Sequence, residues 1–95
     1  MNTIVLEQQT PAEIAKTIAT TVRLRRKEHG FSQEELSQRS GVSLGSLKRF
    51  ENRHEISLKS LIKLAIALDA EDDFALLFAR KHYQSIQEII DEQNR

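Results

Sequence analysis

The sequence predicts an all-α fold, and two features of its 95 residues carry that prediction. Helix-start signals recur, in which a Ser or Thr stands three residues before a Glu and can cap the first turn of a helix. Apolar residues follow these signals at spacings of three and four, which is the spacing of one helix face. Only residues 3–6 favour a strand, and we expect a short extended segment there, ahead of the first helix.

The first helix is predicted to begin at residues 10–13. This stretch contains a threonine that can cap, a proline suited to the first helical position and a glutamate that completes a capping box. Gly30 is expected to end the helix, after basic residues that suit the negative end of the helix dipole. Apolar residues spaced by four predict one buried stripe, formed by Ile14, Ile18 and Val22.

Two short helices are predicted next. Ser32 and Glu35 form a second capping box, which opens a helix with Leu36 facing inward. Gly41 can adopt the left-handed conformation that ends this helix. Ser43 is then expected to cap a third helix, whose inward side chains are predicted to be Leu47 and Phe50.

The fourth helix is predicted to follow a serine cap at Ser57. Its apolar residues at helical spacing are Leu58, Leu61, Ile62, Ala65 and Leu68. A fifth helix is expected over about residues 72–79. It is expected to bury Phe74, Leu77 or Phe78.

A last helix is predicted after the capping box of residues 85–88, with a stripe of Ile86, Ile89 and Ile90. A helix this short is marginal alone in water, so we expect it to dock on its own domain, a second subunit or a partner protein. The chain is therefore expected to comprise an N-terminal extension over residues 1–9, a helical domain over residues 10–79 and a C-terminal helical tail over residues 80–95.

Composition limits the function classes. The chain has no cysteine, which excludes disulfides and thiolate metal sites and fits a reducing compartment. Its N-terminus lacks the basic region of a signal peptide, and the apolar run at residues 64–68 is too short to cross a bilayer. We therefore expect a cytoplasmic protein with no membrane contact.

The formal net charge of zero hides an uneven distribution. Residues 23–63 contain ten lysines and arginines against five acids, whereas residues 69–95 contain seven acids against three bases. A basic centre can bind a polyanion through one face even in a neutral protein. An ordinary solvated surface explains such unevenness equally well, so charge alone does not decide the function.

The short link between the second and third helices does point to DNA. A connection of about three residues containing Gly41 makes the two helices cross steeply, which is the helix-turn-helix arrangement. In that arrangement the third helix can enter a major groove, and the alternative is a helix pair used only for packing. The positions of the third helix expected to be exposed are Ser43, Leu44, Gly45, Lys48 and Arg49. Phosphate donors are expected from Gln33, at the start of the second helix, and from Asn52 and Arg53, near the end of the third.

The ordered motif set resembles the lambda-repressor-like helix-turn-helix family, also called the XRE or Cro/CI type. The matching positions are Ser32, Gln33, Leu36, Gly41, Val42, Ser43, Leu47, Phe50, Glu51, Asn52, Ser57, Leu58 and Leu61. The resemblance covers roughly residues 14–78 and implies a five-helix domain whose third helix reads bases. It implies phosphate contacts by Gln33 and Asn52, and base-facing positions at Ser43, Leu44, Gly45 and Arg49. It also implies an ion pair between Arg26 and Glu51.

Two positions depart from the family pattern. Long polar residues are common in the family where this chain has Leu44 and Gly45. Leu44 offers apolar contact to a thymine methyl, and Gly45 offers no side chain. Base readout is therefore expected to depend on Ser43, Lys48 and Arg49, with Arg49 matching the two acceptors of guanine.

A single domain of this kind covers few base pairs, so we expect a homodimer on an inverted-repeat operator. The residues expected at the dimer or partner contact are Phe74, Leu77, Phe78, Ile86, Ile89 and Ile90. The segments that resemble the HipB-type antitoxin and regulator group are residues 46–51, 55–61, 72–74 and 83–90. This resemblance implies an autorepressor encoded beside a HipA-like kinase toxin. The alternatives are a stand-alone repressor and a protein-interaction module without DNA binding.

Catalysis and metal binding are not expected. The histidines, His29, His54 and His82, are far apart, and none has a second ligand at metal-site spacing. The acids of residues 69–73 are typical of a helix N-terminus, and no nucleophile, phosphate-loop or dinucleotide motif is present. We therefore predict neither a cofactor nor an enzyme activity.

Overall fold

A computed structural model describes residues 9–81 and 86–94, which contain six helices and no strand. The helices are α1 (Pro11–Glu28), α2 (Gln33–Ser40), α3 (Leu44–Arg53), α4 (Leu58–Ala67), α5 (Asp72–Ala75) and α6 (Ile86–Gln93). The all-α prediction is confirmed. The extended segment predicted at residues 3–6 and the serine cap predicted for α6 lie outside the described residues.

The first four helices begin where the sequence predicts. Thr10 and Ser32 each form a complete capping box with the glutamate three residues later. Ser43 and Ser57 each accept a hydrogen bond from the backbone N–H three residues later. These contacts satisfy N–H groups that have no acceptor inside the helix, so each start is fixed by its own neighbouring residues.

The core lies where α2, α3 and α4 meet, and α1 packs across α3. Leu36 and Leu47 are completely buried, and Phe50 is almost so, which confirms their predicted inward positions. The full set of buried apolar residues is Ala19, Leu36, Val42, Leu47, Phe50, Leu64 and Leu68.

Two predicted stripes are wrong in part. On α1, Ile14 and Ile18 are exposed, because the only buried residues of this helix are Ala19 and Arg26 and its surface is otherwise largely in contact with solvent. On α4, Leu58 is exposed and Leu64, which the predicted stripe omits, is completely buried. Apolar residues outnumber the inward positions on this helix, so spacing alone does not select which of them face the core.

The fifth helix is shorter than predicted. It ends at Ala75, and the following turns use hydrogen bonds that span three residues, such as the Leu77 N–H to Phe74 O bond of 3.2 Å. Phe78 has a φ of +59°, in the left-handed region, and is 94% exposed. Phe74 is half-buried, whereas Leu77 is exposed. Of the three side chains that this helix is expected to bury, Phe74 is thus partly covered, whereas Leu77 and Phe78 are not.

The length and hydropathy of the helices show whether any described part of the chain could span a membrane. None of them is long and apolar enough to cross a bilayer. The longest, α1, has many charged residues and a largely exposed surface.

Candidate nucleic-acid interface

The turn between α2 and α3 is held by its own hydrogen bonds. Gly41 has a φ of +77°, and its N–H donates to Ser37 O at 2.9 Å. The Ser37 hydroxyl donates to Val42 O at 2.6 Å, and the Val42 N–H donates to Ser40 Oγ at 3.1 Å. Val42 itself is buried. With its backbone groups and its apolar side chain both engaged, the turn fixes the direction in which α3 leaves α2.

The two sides of α3 have different environments. Leu47 and Phe50 are buried, whereas several polar and charged residues on the opposite side are exposed. The exposed residues of α3 and its cap are Ser43, Gly45, Lys48, Arg49, Asn52 and Arg53. Leu44, which the sequence analysis places among the exposed positions, is half-buried. Two basic side chains and little apolar surface therefore face solvent along the first two turns of α3.

Ser43 is occupied by its capping role. Its Oγ accepts the Ser46 N–H at 3.1 Å and lies 2.9 Å from Ser46 Oγ, to which it donates. A hydroxyl has one donor and two acceptor positions, so one acceptor position is left for an outside group. Any base contact by Ser43 would be limited to that position, which increases the importance of Lys48 and Arg49.

Arg26 and Glu51 form a buried, two-pronged ion pair between α1 and the last turn of α3. Arg26 Nε donates to Glu51 Oε2 at 2.8 Å, and a terminal nitrogen donates to Oε1 at 3.0 Å. The remaining terminal nitrogen of Arg26 donates to Phe31 O at 2.9 Å. The Glu51 side chain is only 4% exposed. Paired charges with this geometry satisfy each other, and they tie α3 to α1.

Gln33 takes part in the same cluster. Its Nε2 donates to Glu51 Oε1 at 3.0 Å, and the residue is half-buried. The amide nitrogen carries two hydrogens, so one N–H remains for an outside acceptor. Gln33 is expected from the sequence to bind a phosphate, but its contact with Glu51, 18 residues away along the chain, has no local signal.

The start of α2, beside this cluster, is itself well capped. The Ser32 N–H donates to Glu35 Oε1 at 3.0 Å, and Glu35 N–H donates to Ser32 Oγ at 3.0 Å. The backbone hydrogen bond from Ser32 lowers the pKa of the Glu35 carboxyl from its ordinary value of 4.5. The capping box thus favours the charged carboxylate, and it fixes the start of α2 at Gln33.

A helix-turn-helix family model of the XRE, lambda-repressor-like type matches residues 22–74, more than half of the chain. The chain belongs to this family. Its members are DNA-binding transcription regulators, so DNA binding is the general function of this domain. The matched stretch contains the α2–α3 turn and the ion-pair cluster. A search of curated proteins and a search of solved structures each gave no match.

Within the helix-turn-helix domain, an open groove runs between α3 and the start of α4. Its volume is about 290 Å³, and its lining residues are Ser46, Arg49, Glu55, Ile56, Ser57 and Ser60. Arg49 therefore lies at the border between the exposed side of α3 and this groove. Asn52 and Arg53 are exposed at the end of α3, where His54 closes the helix with a φ of +65°.

The residues predicted for the dimer or partner contact are described only in part. Phe74 is half-buried, and Leu77, Phe78 and Ile90 are exposed. The side chains of Ile86 and Ile89 lie outside the described residues. Lys81 Nζ lies 3.2 Å from Glu92 Oε1, a contact that links α6 to the segment following α5.

His29 makes contacts that belong to the packing of the fold. His29 Nε2 lies 3.1 Å from Leu68 O, and the ring stacks on Phe31 with a centroid distance of 5.2 Å. The Arg39 guanidinium lies over the Phe31 ring, 4.4 Å from the ring centroid. In the part of the chain that the structure describes, no group of three or more potential ligands could hold a metal ion. His82 lies outside that part.

Proposed function

We propose that this chain is a homodimeric, sequence-specific repressor that binds an inverted repeat upstream of its own gene. The observation that carries the proposal is the position of Lys48 and Arg49 on α3. Both are exposed on the side of the helix opposite Leu47 and Phe50, so the same packing that buries one side presents two cations on the other. A helix with this division can enter a major groove without any loss of core contacts.

Arg49 is proposed to select a base. A guanidinium can donate two parallel hydrogen bonds to guanine O6 and N7. No other base presents two such neighbouring acceptors in the major groove. Leu44, although half-buried, is proposed to contact a thymine methyl. Gly45 and the remaining acceptor position of Ser43 add little direct readout, so we expect an operator with few strongly specified positions in each half-site.

Phosphate contacts are proposed for Gln33, Asn52 and Arg53. The Gln33 amide has one N–H left after its bond to Glu51, and it stands at the first position of α2, where the helix dipole favours an anion. Asn52 and Arg53 are exposed at the other end of α3. Anchors at both ends would orient the recognition helix in the groove without selecting a sequence themselves.

Dimerisation is proposed to involve the C-terminal part of the chain, with residues 80–95 as a tail that contacts a second subunit or a partner. Leu76, Leu77 and Phe78 are exposed consecutively after α5, and Ile90 is exposed on α6. A cluster of large apolar side chains in water favours association. The two recognition helices would then lie about one DNA turn apart, on the order of 34–36 Å.

The antitoxin role is the finer part of the proposal. The resemblance of residues 46–51, 55–61, 72–74 and 83–90 to the HipB-type group supports an autorepressor that also binds a HipA-like kinase toxin. In this reading the exposed apolar residues after α5 and on α6 serve both dimer and toxin. A stand-alone repressor would use them for the dimer alone.

A DNA-binding experiment tests the proposal. The full chain should shift a labelled fragment from upstream of its own gene at a concentration that leaves a fragment of shuffled sequence unbound. The difference should persist at 150 mM KCl, where non-specific phosphate binding is weak. Equal binding to both fragments would contradict sequence-specific repression. Co-purification of the chain with the product of the adjacent gene, tested in parallel, separates the antitoxin from the stand-alone repressor.

Truncation after Arg80 tests the role assigned to the tail. The truncated chain should retain its helical circular dichroism, because the core residues lie between Ala19 and Leu68. Sedimentation should show a monomer, or the chain should lose its partner. A truncated chain that stays dimeric and binds every partner of the full chain would show that the tail covers only its own domain.

A further inference from the structure

Arg23 is a cation to which the sequence analysis assigns no role of its own. It lies on α1, one turn before Arg26, and its side chain is 56% exposed. Its Nε lies 4.0 Å from Glu51 Oε1. That distance is at the limit of an ion pair, and the arginine end of the contact is exposed to solvent, so the contact adds little to the stability of the fold.

The position of Arg23 relative to Gln33 follows from the oxygen that they share. Gln33 Nε2 donates to Glu51 Oε1, and Arg23 Nε lies near the same atom. The arginine on α1 and the glutamine at the start of α2 therefore stand side by side. Because Gln33 is half-buried and the Arg23 side chain extends into solvent, the guanidinium is the more accessible of the two groups.

The charge of Arg23 is left largely uncompensated. The two hydrogen bonds from Arg26 already neutralise the Glu51 carboxylate, and the Gln33 amide occupies part of the remaining acceptor capacity. Among the described residues, the Arg23 side chain makes no hydrogen bond, and its contact with Glu51 at 4.0 Å is too long to be one. The N–H groups of its guanidinium are thus available to an outside acceptor.

We propose that Arg23 binds a backbone phosphate of the operator DNA, next to the phosphate bound by Gln33. This inference rests on the proposed function. A planar guanidinium matches phosphate oxygens with two parallel hydrogen bonds, and the neighbouring N-terminus of α2 favours an anion at the same place. Glu51 acts as a positioning residue. Its Oε1 atom accepts the hydrogen bond from the Gln33 amide and attracts Arg23 Nε, so both groups stay on the same side of the domain.

The chain offers a matched control for this proposal in Arg25. This arginine is on the same helix, two positions away, and it is also exposed, but it pairs with Glu28. Two residues correspond to about 200° around a helix, so Arg25 extends from a different side of α1 than Arg23. Arg23→Ala and Arg25→Ala remove the same side chain and the same charge, but only Arg23 lies beside Gln33. Arg25→Ala also breaks the exposed pair with Glu28, which should cost little stability.

The experiment measures the affinity of the full-length variants for operator and for shuffled DNA, by fluorescence anisotropy, at KCl concentrations from 50 to 200 mM. Arg23→Ala should weaken binding to both DNAs alike, and it should reduce the slope of log K against log[KCl] by about 0.9 per bound subunit. Arg23→Lys should keep the slope, because it keeps the charge. Gln33→Ala should weaken binding without changing the slope, because an amide releases no counterion.

Several results would overturn the inference. One is an Arg23→Ala variant that binds with the same affinity and salt slope as the wild-type chain and as Arg25→Ala. Another is a loss of affinity that comes with a lower midpoint of urea unfolding, since the residue would then act on the fold. If the wild-type chain binds no DNA even at 50 mM KCl, the proposed function fails together with the inference. If it binds and only the Arg23 result is negative, the function stands.

Discussion

The buried and exposed sides of α3 differ in what each contributes to the molecule. The buried side carries Leu47 and Phe50, and ends in the Glu51 carboxylate that holds α1 and the start of α2. The exposed side carries Lys48 and Arg49, which make no contact that the core needs. One helix of ten residues thus combines a structural half with a half proposed for recognition. Changes on the buried side should therefore affect stability, and changes on the exposed side should affect binding.

The largest effect is expected at the structural end of α3. Glu51→Ala should lower the free energy of unfolding by about 3–5 kcal/mol, because it leaves the buried Arg26 charge without a partner. Arg26→Ala should cost a similar amount for the reciprocal reason. Urea melts followed by circular dichroism measure both changes.

Glu28→Ala is the control for this pair. Glu28 also pairs with an arginine of α1, but both side chains are exposed, so the cost should stay below about 1 kcal/mol. If Arg26→Ala and Glu51→Ala left the free energy of unfolding nearly unchanged, the buried ion pair would not stabilise the fold. The buried side of α3 would then contribute to stability only through its apolar residues.

The apolar half of the buried side should give the next effect. Leu47→Ala should lower the free energy of unfolding by about 2–5 kcal/mol, because Leu47 is completely buried and its removal leaves a cavity. Leu58→Ala, at an exposed leucine of α4, should change it by less than about 0.5 kcal/mol. Both values come from thermal or urea melts of the full chain. Equal costs at the two positions would mean that Leu58 is buried in solution.

A smaller effect, and one of a different kind, is expected on the exposed side. Arg49→Ala should weaken binding to the operator by about 1–3 kcal/mol and relax the preference at one base pair, while leaving the unfolding free energy nearly unchanged. Titrations against operators substituted at single positions measure both the affinity and the preference. Unchanged affinity and preference would mean that the exposed side of α3 does not read bases.

The smallest effect is a gain in stability. A Cβ at Gly45 would meet nothing within 4 Å, so Gly45→Ala should raise the free energy of unfolding by up to about 1 kcal/mol through helix propensity. Gly41→Ala should instead lower it by about 1–2 kcal/mol, because its φ of +77° is strained for an L side chain. If Gly45→Ala proved destabilising, the surroundings of α3 in solution would have to be more crowded than the structure indicates.

The features that the sequence predicts correctly are the local ones. The starts of α1 to α4 depend on a serine or threonine and a backbone N–H three residues away, so the short motifs at Thr10, Ser32, Ser43 and Ser57 contain all the necessary information. The end of α2 at Gly41 is equally local. On the short, mostly polar α2 and α3, the few apolar residues have one obvious side on which to be buried.

The features that sequence reasoning misses depend on distant contacts. On α4, apolar residues occur on more than one side, and the packing against α2 decides that Leu64 is buried and Leu58 is not. The sequence analysis assigns Gln33 only to a phosphate, whereas the fold places its amide on Glu51. The nearness of Arg23 to that cluster has no local signal, since a run of arginines on α1 does not show which one faces α2.

The absence of core contacts from the exposed side of α3 has a consequence for how such a regulator can change over generations. Residues 45, 48 and 49 can be replaced with little penalty to folding, so the operator preference proposed for this side could drift while the scaffold is maintained. A duplicated copy of the gene could acquire a new target through two or three substitutions there, and it would escape cross-regulation by its parent as soon as the two preferences diverged. The same property makes these positions the natural place to graft a chosen specificity onto this scaffold.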